Sequence, residues 1–237
     1  MTLKLSHRLQ SIADFLPKGS YFADIGTDHA YLPCYVCLRD STARAIAGEV
    51  RTGPYERALQ TVQMYDLSNQ VDVRLGDGLH ILKQSADPIR QLVIAGMGGS
   101  LIREILNDGI GYLTSVQRII LQPNVGAEIV RKWLYKHNYA ITRELMIEEN
   151  NHLYEIIVAD YNERQPYNKL AIEREKQFMF GPKLLKESSP LFRQKWKKEL
   201  SHLQRIVTQM SEGQQSPNNK KEFIKKINWI KEVLANE

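Results

Sequence analysis

Short apolar runs alternate with amphipathic helical patterns along the first 160 residues of this chain. Strands that alternate with helices form a parallel sheet with helical crossovers. Residues 139–161 then predict a closing hairpin, which adds an antiparallel edge. We therefore expect an α/β, Rossmann-like sheet, with strands over 21–25, 42–49, 71–75, 91–95 and 118–121 and helices over 6–15, 30–39, 54–65, 101–107 and 127–137.

The pattern changes after residue 161. Apolar residues recur at spacings of three and four over 192–210 and again over 223–234, and a polar loop with Gly213 and Pro217 separates the two segments. Two helices with one apolar seam each predict an antiparallel coiled-coil hairpin. We expect one domain over 1–161 and a helical domain over 162–237.

Positive charge is concentrated in this C-terminal part. The chain has a net charge of +5, and residues 162–237 carry 16 Lys and Arg against 9 Asp and Glu. A run of charge is often only a solvated face, but a basic domain attached to a near-neutral one favours a polyanionic partner such as nucleic acid. The candidate contacts are lysines that lie off the apolar seams: Lys195, Lys198, Lys221 and Lys225.

Other sequence features limit the class of protein. The sequence has no run of eighteen apolar residues, so it predicts no membrane helix, and the N-terminus has no apolar signal core. We therefore expect a cytoplasmic protein. Cys34 and Cys37 form a C-x-x-C spacing, which is found in redox pairs. We favour two buried, apolar side chains, since two thiols cannot complete a zinc site. The histidine spacing predicts no metal site.

The turn after the first strand indicates the cofactor. Gly26 allows a sharp turn, but Asp28 and Ala30 stand where a dinucleotide-binding turn has glycines. A carboxylate would repel a pyrophosphate at this position. S-adenosylmethionine (SAM) has an ammonium and a sulfonium and no phosphate, so Asp24 and Asp28 together would suit its ammonium group.

Acidic residues also follow the next two strands. Glu49 lies 23 residues after Gly26, a distance typical of a carboxylate that binds ribose hydroxyls. Asp77 would accept from an adenine amino group, and Gly78 and Gly96 leave room for flat rings. Each acid alone could instead cap a helix, but several acids at successive strand ends favour a shared ligand.

Six segments in order resemble one family: ADIGTDHAYLP, AIAGEVRTGP, VRLGDGL, IAGMGGSLI, LQPN and EENNHLYEI. They are similar to the bacterial tRNA adenine-N1 methyltransferases that modify adenine 22. The resemblance covers residues 3–160 and extends loosely through FGPKLL and KWKKEL. It implies a class I methyltransferase sheet and a C-terminal coiled-coil domain that helps to hold tRNA.

The resemblance also implies a role for each cofactor residue. The methionine side of SAM would be lined by Asp24, Gly26, Asp28 and His29. The ribose would be held by Glu49, and the adenine by Asp77 and Gly78. The residues beside the methyl group would be Ala95, Gly96 and Met97.

The implied reaction is an in-line attack of adenine N1 on the SAM methyl group. The neutral N1 lone pair is already nucleophilic, so the reaction requires no general base and depends on positioning. Gln122 or Asn124 would accept from the adenine 6-amino group, although a proline turn with a capping asparagine is the alternative. Tyr31 and Met97 are candidate stacking surfaces, and Arg8 would contact the substrate or a phosphate, or lie on the surface.

We thus expect a monomeric tRNA methyltransferase. Three alternatives remain open: a SAM-dependent methyltransferase for another base or a small molecule, an NAD-dependent dehydrogenase, and a non-catalytic tRNA-binding protein. Asp28 and the missing glycines count against the dehydrogenase.

Overall fold

The structure is a computed structural model that describes residues 3–85, 87–211 and 217–235. Its chain divides into two compact units, Met1–Pro166 and Tyr167–Glu237. The predicted loop glycine, Gly213, lies outside the described residues.

The first unit contains a mixed seven-stranded sheet. Its strands are β1 (Tyr21–Ile25), β2 (Arg44–Glu49), β3 (Val71–Leu75), β4 (Gln91–Gly98), β5 (Arg118–Val125), β6 (Tyr139–Glu149) and β7 (His152–Tyr161). The order across the sheet is β3-β2-β1-β4-β5-β7-β6. Strands β1 to β5 pair in parallel, and β7 pairs antiparallel with β5 and β6. The predicted sheet with an antiparallel edge is confirmed.

Helices precede or connect the strands of the first unit. They are α1 (His7–Ala13), α2 (Tyr31–Arg39), α3 (Thr52–Met64), α4 (Gly99–Asp108) and α5 (Ala127–Lys136), together with 3-10 turns at Gly78–Gln84 and Ile110–Tyr112. Ser6 caps α1, since its hydroxyl accepts from the backbone N–H of Leu9. Leu92, Val93 and Ile94 in β4 are fully buried, as expected of a parallel strand at the centre of an α/β sheet.

Strands β4 and β5 are longer than predicted. The sequence predicts strand ends at Ala95 and Leu121, because glycine and proline follow, but the strands reach Gly98 and Val125. The β4–β5 register shifts on both sides of Met97, where Pro123 is its partner. Proline lacks an N–H and is therefore tolerated at such an irregularity. The QPN segment is consequently part of a strand, so the predicted strand end at Leu121 and the alternative of a proline turn are both wrong.

The order in which strands are added across the sheet reverses between β1 and β4. From β1 the chain adds β2 and β3 on one side, and it then crosses to β4 on the other side of β1. In open α/β sheets, ligands bind at the carboxyl ends of the strands at such a switch point. A ligand is therefore expected at the turns after β1 and β4.

The second unit is helical: α6 (Ala171–Phe180), α7 (Pro182–Glu187), α8 (Pro190–Ser211) and α9 (Pro217–Ala235). Helices α8 and α9 pack together. The buried residues of the predicted seams are Phe192, Trp196, Leu203, Met210, Ile227 and Ile230. Trp229 is buried as well, although it lies off the predicted seam.

Helices α6 and α7 were not predicted. Both are short, and Gly181 and Pro182 separate them, so no long apolar period identifies them. Helix α6 contributes to an aromatic cluster in which the ring centroids of Phe180 and Trp196 lie 4.5 Å apart, and α7 adds the buried Leu184 to the unit. The second unit therefore has an apolar core of its own.

The two cysteines are free and buried, and burial raises the pKa of each thiol to about 12. A protonated, buried thiol is unreactive, which agrees with the apolar interpretation of Cys34 and Cys37. Within 3–85, 87–211 and 217–235, no helix has the length and apolar content needed to span a bilayer. The same described residues contain no group of three or more His, Cys, Asp and Glu arranged to hold a metal ion.

Candidate active site

The turn after β1 is tight and strained. Gly26 has φ of +70°, and its N–H donates to the carbonyl oxygen of Gly48 at 2.9 Å. The next residues Asp28, His29 and Ala30 are also left-handed, with φ of 44°, 64° and 58°. Three consecutive non-glycine residues in this region cost free energy, and such strain is concentrated at functional sites.

A buried carboxyl group lies below this turn. Asp24 is 4% exposed, and its Oδ2 accepts from Thr27 Oγ1 at 2.7 Å. Burial raises the pKa of Asp24 to about 7, and the hydrogen bond from Thr27 opposes the shift. A nearby cation would favour the ionised form. Asp24 is therefore a suitable partner for an ammonium group.

The two acids predicted beside Asp24 have different surroundings. Glu49, at the end of β2, is 8% exposed and its Oε1 accepts from the backbone N–H of Asp28 at 2.9 Å. The carboxylate of Asp28 is 81% exposed and lies 3.5 Å from His29 Nε2. The His29 ring in turn stacks on Tyr31, with centroids 5.4 Å apart. Asp28 thus orients Glu49 through its backbone, and its carboxylate is available to a ligand.

Asp77 is exposed at the start of the 3-10 turn that follows β3, and its side chain makes no capping hydrogen bond within the described chain. A capping role therefore does not explain Asp77. Gly78 follows with φ of +50°. The pair lies at the carboxyl edge of the sheet, as predicted.

Glycines allow side chains to approach the backbone closely at this edge. A Cβ on Gly26 would overlap Met97 Cε, and a Cβ on Gly48 would overlap Ile81 Cδ1. Ala95 and Met97 are half-buried, and Gly96 between them is exposed with φ of +76°. Together with the buried carboxyl groups, this glycine-lined edge fits a ligand with a cationic tail and ribose hydroxyls.

Gln122 and Asn124 are joined in one hydrogen-bond network with Gly96. Gln122 is fully buried, and its Oε1 accepts from Gly96 N at 3.1 Å and from Arg8 Nη1 at 2.5 Å. Its Nε2 donates to Asn124 Oδ1 at 3.0 Å, and Asn124 Nδ2 donates to Gly96 O at 2.8 Å. Asn124 is the exposed member of the pair, so of the two predicted alternatives it is the better placed to contact a base.

Sequence reasoning missed several residues of this edge. Thr27 and Gly48 support the β1 turn, and Glu149 and Tyr154 of the β6–β7 hairpin contact Arg8. All four lie inside the segments that carry the family resemblance, which was the one signal that could have identified them.

The candidate lysines lie in the second unit. Lys198, Lys221 and Lys225 are exposed. Lys195 is half-buried, and its Nζ lies 5.3 Å from the Trp196 ring centroid, while Lys225 Nζ lies 4.4 Å from that of Trp229. Contacts of this type are attractive between a cation and an aromatic face.

Residues 22–232 match the model of one protein family, described as tRNA (adenine(22)-N(1))-methyltransferase. This chain belongs to that family. A family member from Bacillus subtilis (strain 168), named tRNA (adenine(22)-N(1))-methyltransferase, is 43% identical over 237 residues, which cover 98% of each chain.

Solved structures described as tRNA methyltransferases of this kind have folds similar to that of this chain. The crystal structure of the B. subtilis M1A22 tRNA methyltransferase has a TM-score of 0.90 and 41% identity, and the match covers 98% of this chain and 100% of that chain. A putative tRNA (m1A22) methyltransferase from Streptococcus pneumoniae, in complex with S-adenosyl-L-methionine, has a TM-score of 0.85 and 38% identity over the same shares of the two chains. The expected methyltransferase fold of the first unit is thereby confirmed.

Proposed function

We propose that this chain transfers the methyl group of SAM to N1 of adenine 22 in tRNA. The observation that carries the proposal is its 43% identity to the B. subtilis enzyme over 98% of both chains. The geometry at the carboxyl ends of the strands supports the proposal. It brings three groups to one edge of the sheet: the buried carboxyl group of Asp24, the carboxylate of Glu49 that would bind ribose, and the exposed amide of Asn124.

SAM supplies an electrophilic methyl group on a sulfonium. The S. pneumoniae relative is described in complex with it. In this chain, Asp24 and Asp28 would bind the ammonium, Glu49 the ribose hydroxyls and Asp77 the adenine amino group. The remaining cofactor residues would line the site through backbone and ring contacts: Gly26, His29, Gly78, Ala95, Gly96 and Met97.

The protein's contribution to the reaction is positioning. Adenine N1 carries a neutral lone pair, so no side chain needs to remove a proton before attack. Holding two reactants in line can supply roughly 7–11 kcal/mol of the barrier reduction. Asn124 Oδ1 would accept from the adenine 6-amino group, and the half-exposed Tyr31 ring would stack on the base. Gln122 is buried and therefore acts on Asn124 and not on the base.

The second unit would bind the body of the tRNA in the cytoplasm. We propose that α8 and α9 form an antiparallel coiled coil whose lysines Lys195, Lys198, Lys221 and Lys225 contact phosphates. This proposal is supported by the apolar seams of the two helices and by the net positive charge of residues 162–237. We also propose that the enzyme acts as a monomer.

The test uses unmodified tRNA transcripts and SAM labelled in its methyl group. We expect transfer of one methyl group to each transcript that carries adenine at position 22. A transcript with guanine at that position is the matched control and should accept none. Equal labelling of both transcripts, or labelling of neither, would contradict the proposal.

A further inference from the structure

Arg8 of α1 is held by the β6–β7 hairpin. Its backbone N–H donates to Glu149 Oε1 at 3.1 Å, and its Nε lies 4.0 Å from Glu149 Oε2. Its guanidinium carbon lies 5.4 Å from the centroid of the Tyr154 ring. The Arg8 side chain is 21% exposed. These contacts leave the guanidinium few alternative positions.

The guanidinium and the backbone N–H of Gly96 together orient the Gln122 amide. Arg8 Nη1 and Gly96 N both donate to Gln122 Oε1, at 2.5 Å and 3.1 Å. A guanidinium and a backbone N–H are donors only, so the oxygen of Gln122 has to face them. Nε2 then points to Asn124. Because Gln122 is fully buried, turning its amide over would place the NH2 group against two donors with no acceptor, which is costly.

The orientation of Gln122 in turn determines that of Asn124. Gln122 Nε2 donates to Asn124 Oδ1, and Asn124 Nδ2 donates to Gly96 O. An amide oxygen has two lone pairs, and Gln122 uses one of them. The other can accept a hydrogen bond from an incoming donor. The 6-amino group of adenine is a donor, whereas the 6-oxo group of guanine is an acceptor that this oxygen would repel.

We propose that Arg8 is a positioning residue for base selection: held by Glu149 and Tyr154, it orients Gln122 and, through it, the Asn124 oxygen that recognises the adenine 6-amino group. This inference rests on the function proposed above. Arg8 is the charged member of the network that runs through Gln122 to Asn124, and hydrogen bonds with a charged donor are the stronger ones. This role replaces a direct contact between Arg8 and the tRNA.

The test pairs a change in the enzyme with a change in the base. Two tRNAs are compared, one with adenosine at position 22 and one with purine riboside, which lacks only the 6-amino group. The amino group also makes N1 more nucleophilic, so every enzyme form should react more slowly with the second tRNA. For the wild type we expect the lost hydrogen bond to add about a tenfold fall in kcat/KM to this intrinsic difference. Arg8→Met should lower kcat on the adenosine substrate, and its ratio of kcat/KM between the two tRNAs should be about tenfold smaller than the wild-type ratio.

Further measurements and variants separate positioning from a general structural effect. The KM for SAM and the midpoint of thermal unfolding should stay near wild-type values in Arg8→Met. Arg8→Lys should recover part of the base discrimination, because an ammonium also donates to Gln122. Glu149→Gln, which removes the charge that holds Arg8, should give an intermediate loss. Arg57→Met, an exposed change in α3, is the control and should discriminate as the wild type does.

Two results would overturn the inference. If Arg8→Met weakens activity equally on both tRNAs and makes binding less salt-dependent, Arg8 contacts a phosphate and not the Gln122 amide. If Arg8→Met keeps the full wild-type discrimination, Asn124 does not depend on Arg8. Failure of the proposed function is distinguishable from both, since the wild-type enzyme would then methylate neither tRNA.

Discussion

Individual carboxyl groups explain how this turn can bind a cation. Asp24 is buried among apolar residues with one hydrogen bond from Thr27, and its pKa is raised to about 7. Glu49 lies at the end of the next strand and is held by the Asp28 backbone. The sequence predicts that both acids lie at one edge, because parallel strands place their carboxyl ends together. It does not predict the shift in pKa, which depends on burial of the side chain.

The first prediction concerns Asp24 and pH. Because the ammonium of SAM favours the carboxylate, affinity for SAM should fall as pH decreases below about 7. Calorimetry from pH 5.5 to 8 measures this dependence, and Asp24→Asn should remove the part that belongs to Asp24. Comparison of the two proteins cancels the titration of the ligand. Thr27→Val, which removes the hydrogen bond that lowers the Asp24 pKa, should move the midpoint upward.

The raised pKa of Asp24 also determines how the stability of the fold depends on pH. A carboxyl group whose folded-state pKa exceeds its unfolded value favours the folded state below the unfolded pKa and loses that contribution as pH rises through the folded pKa. For Asp24 this window runs from about 4 to about 7.

The calorimetry has one result that would contradict the first prediction. If wild type and Asp24→Asn showed the same pH dependence of SAM affinity, Asp24 would not bind the ammonium.

The different surroundings of Gln122 and Asn124 could not be predicted from the sequence. The sequence marks it as a polar residue after a strand, and Gln122 and Asn124 look equivalent at that level. The structure separates them, because β5 continues through both residues and Arg8 packs over the first. That contact joins residues 114 positions apart in the chain, so no local pattern contains it.

At the scale of elements, the approach of α4 to the β5–α5 turn maintains the site. A Cβ on Gly99 at the start of α4 would overlap the carbonyl group of Gly126, which is backbone and cannot rotate away. This packing keeps the end of β4 next to the end of β5, where Gly96 meets Asn124. Glycine is therefore required at 99 for packing.

The second prediction tests this approach. Gly99→Ala should reduce the free energy of unfolding by about 1–3 kcal/mol, the usual cost of overpacking, and should lower activity by displacing Gly96 from Asn124. Gly53→Ala is the matched control, since no atom of the described chain lies within 4 Å of a Cβ there. Urea denaturation measures both variants. Equal stability of the two would show that α4 shifts without cost.

Helices and strands could be predicted where a continuous stretch of sequence carries the whole pattern. Strands β1 and β3 have the bounds that the apolar runs indicate. The ends of β4 and β5 were misplaced because glycine and proline usually end strands, and here a bulge accommodates them. Helix α7 was missed because it has only six residues. Helix α6 is as long as α4 and α5, but its buried apolar residues, Phe178 to Phe180, are consecutive at its C-terminal end and do not recur at helical spacing.

On the scale of the whole molecule, the residues proposed for the chemistry and the excess of positive charge lie in different units. The residues proposed for SAM and adenine lie within Met1–Pro166, and the proposed phosphate contacts lie within Tyr167–Glu237. The change in net charge along the sequence predicted this division of roles. How the second unit folds was less predictable, since α6, α7 and the buried Trp229 lie outside its two seams.

The third prediction follows from this separation. Replacing Lys195, Lys198, Lys221 and Lys225 by glutamine should weaken tRNA binding and reduce the slope of log affinity against log salt by about 0.7–0.9 for each phosphate that is no longer neutralised. Affinity for SAM should not change. The control replaces four exposed basic residues of the first unit: Arg39, Arg57, Lys83 and Lys136. Equal weakening of tRNA binding in both variants would show that only net charge matters.

The central claim is that the enzyme methylates N1 of adenine 22, and the identity of the methylated atom tests it most directly. The tRNA from the labelling reaction is digested under neutral conditions, and chromatography with mass spectrometry separates 1-methyladenosine from N6-methyladenosine. Primer extension on the same tRNA locates the modified nucleotide. We predict 1-methyladenosine and a block to extension at position 22. N6-methyladenosine, or a block at another position, would contradict the account.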